Sequence, residues 1–155
     1  MTYPHQAVAE TISELFIPVQ IDTQDGSQMT TEIVKRFRQV WTPDLRIIDH
    51  EGVELYRWNG YLPPAEFLPQ LLAGRAQALL RSDRGKEATE AYVDVLRKFP
   101  TSFVAPEAAY FNAISAYRLS HEPADLLENW GWLQKRFPMS DWRVKQSFVE
   151  TPKAR

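Results

Sequence analysis

Two stretches of this chain, VLRKFPTS at 95–102 and LQKRFPMS at 133–140, align at a spacing of 38 residues. Each puts cationic side chains in what reads as the last turn of a helix and follows them with Phe-Pro. The cations complement the negative end of the helix dipole, and proline, which has no N–H to donate, blocks continuation. The same stop written twice predicts two copies of one helical unit. GKEATEAYVDVLRKFPTS, APEAAYFNAISAYRLS and ADLLENWGWLQKRFPMS all carry apolar residues at helical period, and strand signals cease from about residue 69.

The first half is written differently. Ala7, Val8 and Ile12 mark a helix over 5–14, and LFIPVQID (15–22) reads as a strand. Its internal Pro18 fits an edge or a strand entrance, because proline cannot donate to a ladder. After a turn at Asp25-Gly26, Ile33, Val34, Phe37 and Val40 form the stripe of an amphipathic helix. QVWTPDLRIIDHEGVELYRWNG (39–60) then reads as Trp-Thr-Pro, strand, tight turn and returning strand. Pro63 and Pro64 suit the start of a further helix, whose buried face is Phe67, Leu68, Leu71 and Leu72. The order helix–strand–helix–strand–strand–helix makes the chain α+β. Charge divides the same way: residues 1–74 carry a net of −5 and residues 75–155 a net of +3. That asymmetry supports two units, 1–74 and 75–155.

At this point the segments resemble known families. FIPVQID, WTPDLRIID, the turn HEG and NGYLPPAEFLPQLL resemble, in order and spacing, the later part of a thioredoxin domain over roughly residues 3–73. The resemblance implies a cis Thr42-Pro43 bond in a loop whose backbone pairs with an extended substrate segment. It also exposes two departures: the Cys-X-X-Cys is absent, and so is the strand before it, which in that family lies centrally between the segments at 16–22 and 45–49. Three solutions stand open. A partner chain supplies a strand by β-augmentation, the two neighbours close on each other, or the segment belongs to a longer natural polypeptide. The second half resembles a pair of tetratricopeptide-type helical hairpins, with Ala88, Tyr92, Val95 and Pro100 in one copy and Leu126, Trp130, Leu133 and Pro138 in the next. The order of the two parts is similar to bacterial thioredoxin-family proteins with a C-terminal helical-repeat extension.

Chemistry is sparse. With no cysteine in 155 residues, thiol catalysis, disulfides and thiolate metal sites are excluded together. His5, His50 and His121 are far apart and read as solvated; no metal-ligand spacing, phosphate-binding loop or nucleophile motif occurs. Asp49 and Glu51 flank a turn and read as solvated rather than as an acid–base pair. No cofactor is expected. A formal net charge of −2 gives no field for a phosphate backbone, so no nucleic-acid partner is expected. No apolar run approaches the ~20 residues of a membrane span, and MTYPHQAVAE lacks the parts of a signal peptide, so the expectation is a cytoplasmic chain.

The candidate binding residues fall in two groups. Trp41, Thr42 and Pro43 belong to the loop, Trp41 as a lid on the groove or as a core residue. Gln77, Arg81, Phe111, Ser115 and Arg118 fall on the first helices of the hairpins, where guanidinium groups suit a carboxylate or an extended acidic peptide. Arg81, Arg84, Lys86, Arg97 and Lys98, with Glu87, Glu90 and Asp94 nearby, read mostly as a solvated, ion-paired face. Trp130 and Leu133 read as core, Trp132 as a contact with the C-terminal segment or a partner, and SDWRVKQSFVE as a capping helix with Trp142 and Val144 or Phe148 facing inward. The function read from these features is a redox-inactive, non-enzymatic protein-binding adaptor or assembly subunit. Its partner would be a protein or extended peptide, including a strand from another chain or a second copy. The rival is the C-terminal portion of a thiol–disulfide oxidoreductase whose dithiol lies upstream of Met1.

Overall fold

The computed structural model describes residues 2–149. It is α+β, with a small sheet and its helices followed by an all-helical stack. Helix α1 (Gln6–Leu15) buries Val8, and helix α2 (Gln28–Arg36) begins where the Ser27 side chain accepts from the Thr30 amide at 3.1 Å. Strands β1 (Asp44–Ile48) and β2 (Glu54–Asn59) pair antiparallel, Leu45 opposite Trp58 and Ile47 opposite Tyr56. Their turn is fastened by one carboxylate oxygen: Asp49 Oδ1 accepts from the amides of Glu51 at 2.9 Å and Val53 at 2.8 Å. Helices α3 (Pro64–Arg81), α4 (Gly85–Lys98), α5 (Ala105–Ser120) and α6 (Pro123–Arg136) follow, then the short α7 (Asp141–Lys145) and a 3-10 turn, Ser147–Val149.

The repeated stop is written into the backbone. Phe99, after α4, has φ −133° and ψ 53°; Phe137, after α6, has φ −128° and ψ 59°. Each returns its amide to the carbonyl four residues back, Val95 and Leu133 respectively. Similar sequence has produced the same stop because cation, aromatic and proline occupy equivalent positions relative to the last turn.

Helix α3 holds the two parts together. Its first half packs Phe67 and Leu71 with Val8 against Leu45 and Trp58 of the sheet. Its second half packs Ala73, Ala76, Leu79 and Leu80 against Tyr92, Val95 and Val104. Burying the phenylalanine and leucine side chains contributes roughly 1.5–3 kcal/mol each, so both clusters depend on one helix. The division expected at 74/75 therefore falls inside α3, and the second unit's residues 150–155 lie outside the described chain. A third cluster, Ala109, Ala113, Trp130 and Leu133, is covered by Tyr110, Leu126 and Trp142. Trp142 thus faces inward as expected, whereas Val144 points to solvent.

Two expectations are corrected. LFIPVQID forms no ladder: residues 16–22 belong to no strand, and no strand pairs with them among the described residues. Val40 does not join the α2 stripe. The helix ends at Arg36, Arg38 takes a left-handed φ of 46°, and the chain turns Val40 outward.

Candidate functional site

The sheet has two strands, ordered β1-β2, so the other edge of β1 carries no strand among the described residues. Residues 16–22 also lack a ladder, and they are anchored at one end by Phe16, which packs on the Val8–Phe67–Leu71 cluster. Beyond that anchor Ile17 is 93% exposed and Val19 79%. At the entrance to β1 the Thr42-Pro43 bond is cis, and the Pro43 carbonyl accepts from the Gly60 amide at 2.9 Å. Trp41, beside it, is 73% exposed and so belongs to no core. Unpaired main-chain groups and exposed β-branched side chains are what a sheet edge offers to an added strand.

The face of the sheet opposite α3 is a knot of charge. Asp44, its side chain 3% exposed, holds Arg46 at 2.7 Å and Arg57 at 3.1 Å; Arg46 also pairs with Glu54 and donates to the Phe37 carbonyl at 2.9 Å. The Arg46 guanidinium lies over the Phe37 ring, 4.8 Å from its centroid. Every charge in this knot has a partner, which leaves none of them as a free ligand group.

A cleft of about 330 Å³ opens between β2, α3, α5 and α7. Tyr56 of β2 donates to Glu107 Oε1 of α5 at 2.8 Å and accepts from Gln70 Nε2 of α3 at 2.6 Å. Burial pushes the Tyr56 hydroxyl above the ordinary tyrosine value, and the Glu107 carboxylate pushes it further. Burial likewise raises Glu107, only partly offset by the Tyr56 hydrogen bond and the field of Lys145. Phe111 and Trp142 meet edge to face, 5.4 Å apart, along one wall.

Of the residues singled out from sequence, Gln77, Arg81 and Phe111 line this cleft. Gln77 is buried and accepts from the Tyr92 hydroxyl at 2.7 Å, so its carbonyl end is already used. Ser115 does not line it: it is fully buried, 2.7 Å from Thr89 Oγ1, and donates to the Gly85 carbonyl in the α4–α5 seam. Arg118 pairs with Asp83 at 2.7 Å at the far end of α5. Trp41, Thr42 and Pro43 stand together at the hairpin mouth and do not line the cleft. Tyr56 and Glu107, which join the two halves, are the residues sequence reasoning missed. Among the described residues no group of three or more His, Cys, Asp or Glu side chains is placed to hold a metal ion, and no helix is long and apolar enough to cross a membrane.

Residues 2–75 match the model of a thioredoxin-like domain family. No curated protein and no solved structure matches the chain. The match ends within α3, and the structure adds a partial thioredoxin-like sheet unit followed by helices.

Proposed function

We propose that the partial thioredoxin-like unit of residues 2–75 serves, on its support of tetratricopeptide-type hairpins, as a redox-inactive cytoplasmic adaptor that captures an extended strand of another polypeptide. The observation that carries this reading is the open edge of β1 together with the ladderless, exposed segment 16–22, whose Phe16 packs on the same cluster as Leu45 of β1. A strand laid between them would pair its backbone on both sides. Main-chain hydrogen bonds supply affinity without regard to sequence, and alternate side chains supply selectivity. Leu45 faces the Val8–Phe67 cluster and Arg46 the charged knot, so an incoming strand in register would present apolar residues to one face and polar residues to the other. Covering Ile17 and Val19 would contribute roughly 1.5–3 kcal/mol each toward binding. Trp41, Thr42 and Pro43 stand at one end of that path as its backbone contact.

Selection of heptapeptides from a random library against the full chain tests the reading. Binders should alternate apolar and polar residues, and Ile17→Lys with Val19→Lys should weaken them by an order of magnitude or more. Binders insensitive to that pair would overturn it. The rival oxidoreductase reading is separated by sequence: an in-frame apolar strand with Cys-X-X-Cys upstream of Met1 would fill the slot from the same polypeptide and end the adaptor reading.

A further inference from the structure

The cleft between β2, α3, α5 and α7 is independent of the strand slot, and it holds two charges of opposite sign that have no ionic partners among the described residues. Arg81 makes no hydrogen bond or ion pair among the described residues. Glu107 accepts from the Tyr56 hydroxyl through Oε1, while among the described residues Oε2 has no donor and no cation lies within ion-pair distance. Lys145 is near enough for its field to favour the Glu107 charge, but its ammonium sits over the Trp142 ring, 3.4 Å from the centroid, rather than on the carboxylate. The cleft's other charged groups are neutralised elsewhere, Glu54 by Arg46 and Arg57 by Asp44. Phe111 and Trp142 complete an aromatic wall beside the two free charges.

We propose that this cleft binds a short zwitterion: a ligand whose carboxylate meets Arg81, whose ammonium meets Glu107, and whose apolar or aromatic arm lies on Phe111 and Trp142. A simple anion leaves the half-buried Glu107 uncompensated, and a simple cation leaves Arg81 so. Only a molecule with both ends engages both, and the charge-assisted bond to half-buried Glu107 is worth more than its counterpart at the surface. The volume, at the lower end for small-molecule sites, suits a free amino acid or a dipeptide spanned by its termini.

Calorimetry on the full chain at neutral pH tests this with four probes: phenylalanine, alanyl-phenylalanine, phenylpropionate and phenethylamine. At least one of the zwitterions should bind roughly tenfold or more tightly than either half-ligand. The tighter of the two zwitterions tells the free amino acid from the peptide as the source. Arg81→Gln, at an exposed position, should remove that advantage while leaving the circular dichroism spectrum unchanged; Glu107→Gln should remove it from the ammonium side. Half-ligands that bind as well as the zwitterions, no heat from any probe at millimolar concentration, or an Arg81→Gln chain that binds as before would each overturn the proposal.

Discussion

The hydroxyl of Tyr56 donates to the carboxylate of Glu107 across 2.8 Å, joining a strand of the sheet to a helix of the second half, 51 positions away in the chain. Gln70 donates to the same hydroxyl, so three elements meet at one oxygen. The burial of the Glu107 carboxylate at this junction, which the hydrogen bond only partly offsets, makes the stability of the fold depend on pH.

Burial penalises the ionised form of Glu107, so its carboxyl titrates higher in the folded chain than its ordinary value of 4.5. The folded state therefore holds this proton more tightly than the unfolded state does. Glu107's contribution is greatest below 4.5, declines as pH rises through the raised folded value, and is level beyond it. Glu107→Gln keeps an acceptor for Tyr56 and removes the titration. Urea unfolding at a series of pH values from acid to neutral should show a decline in the parent chain that is shallower in the variant. Parallel curves for the two would contradict the assignment.

Gly74 lets the sheet rest on α3. A Cβ there would run into the Tyr56 ring, with Cε1 2.8 Å away, and would lie 3.0 Å from Ile47 Cδ1. The Tyr56 ring is held by hydrogen bonds at its far end and has little room to retreat. Gly74→Ala should cost about 1–3 kcal/mol by chemical denaturation, despite alanine's better helix propensity.

His121 ends α5 in the left-handed region at φ 59°, exposed and without a glycine's freedom. His121→Gly should stabilise the chain by about 0.5–1 kcal/mol, as the relief of side-chain crowding exceeds the added entropy of the unfolded chain. Asp83 adopts a similar φ of 57° but also pairs with Arg118, so the same change there should gain less.

The α6 face separates core from surface within one turn. Leu133 is fully buried, whereas Trp132 is half exposed and meets Phe137 at its edge, 5.8 Å away. Leu133→Ala should cost about 2–5 kcal/mol through the cavity it leaves, and Trp132→Ala under about 1 kcal/mol. Thermal unfolding of the two variants orders them directly.

The helical half is legible in sequence because its information is local: periodic apolar residues set the buried stripe, and the doubled Phe-Pro stop sets the ends. The hairpin is legible for the same reason, through the His50-Glu51-Gly52 turn and the strands on either side. The state of 16–22 is not, since an apolar run reads alike whether or not a neighbour pairs with it; a ladder is a property of two segments. Ser115 and Arg118 share a helix with Phe111, but which of them faces the cleft depends on how α5 is rotated against α4, which periodicity alone leaves open. Glu107 reads as an ordinary first-turn acid complementing the helix dipole, and its burial follows only from the sheet's seat on α3 and the approach of Tyr56.

The strand slot is the centre of the functional account, and amide hydrogen exchange tests it most directly. The full chain is compared alone and with a selected heptapeptide, following residues 16–22 and 44–48 together. The account predicts that both segments exchange rapidly at their unpaired amides in the free chain and become protected in concert when peptide is bound. Protection of neither segment, or of some other surface alone, would contradict it.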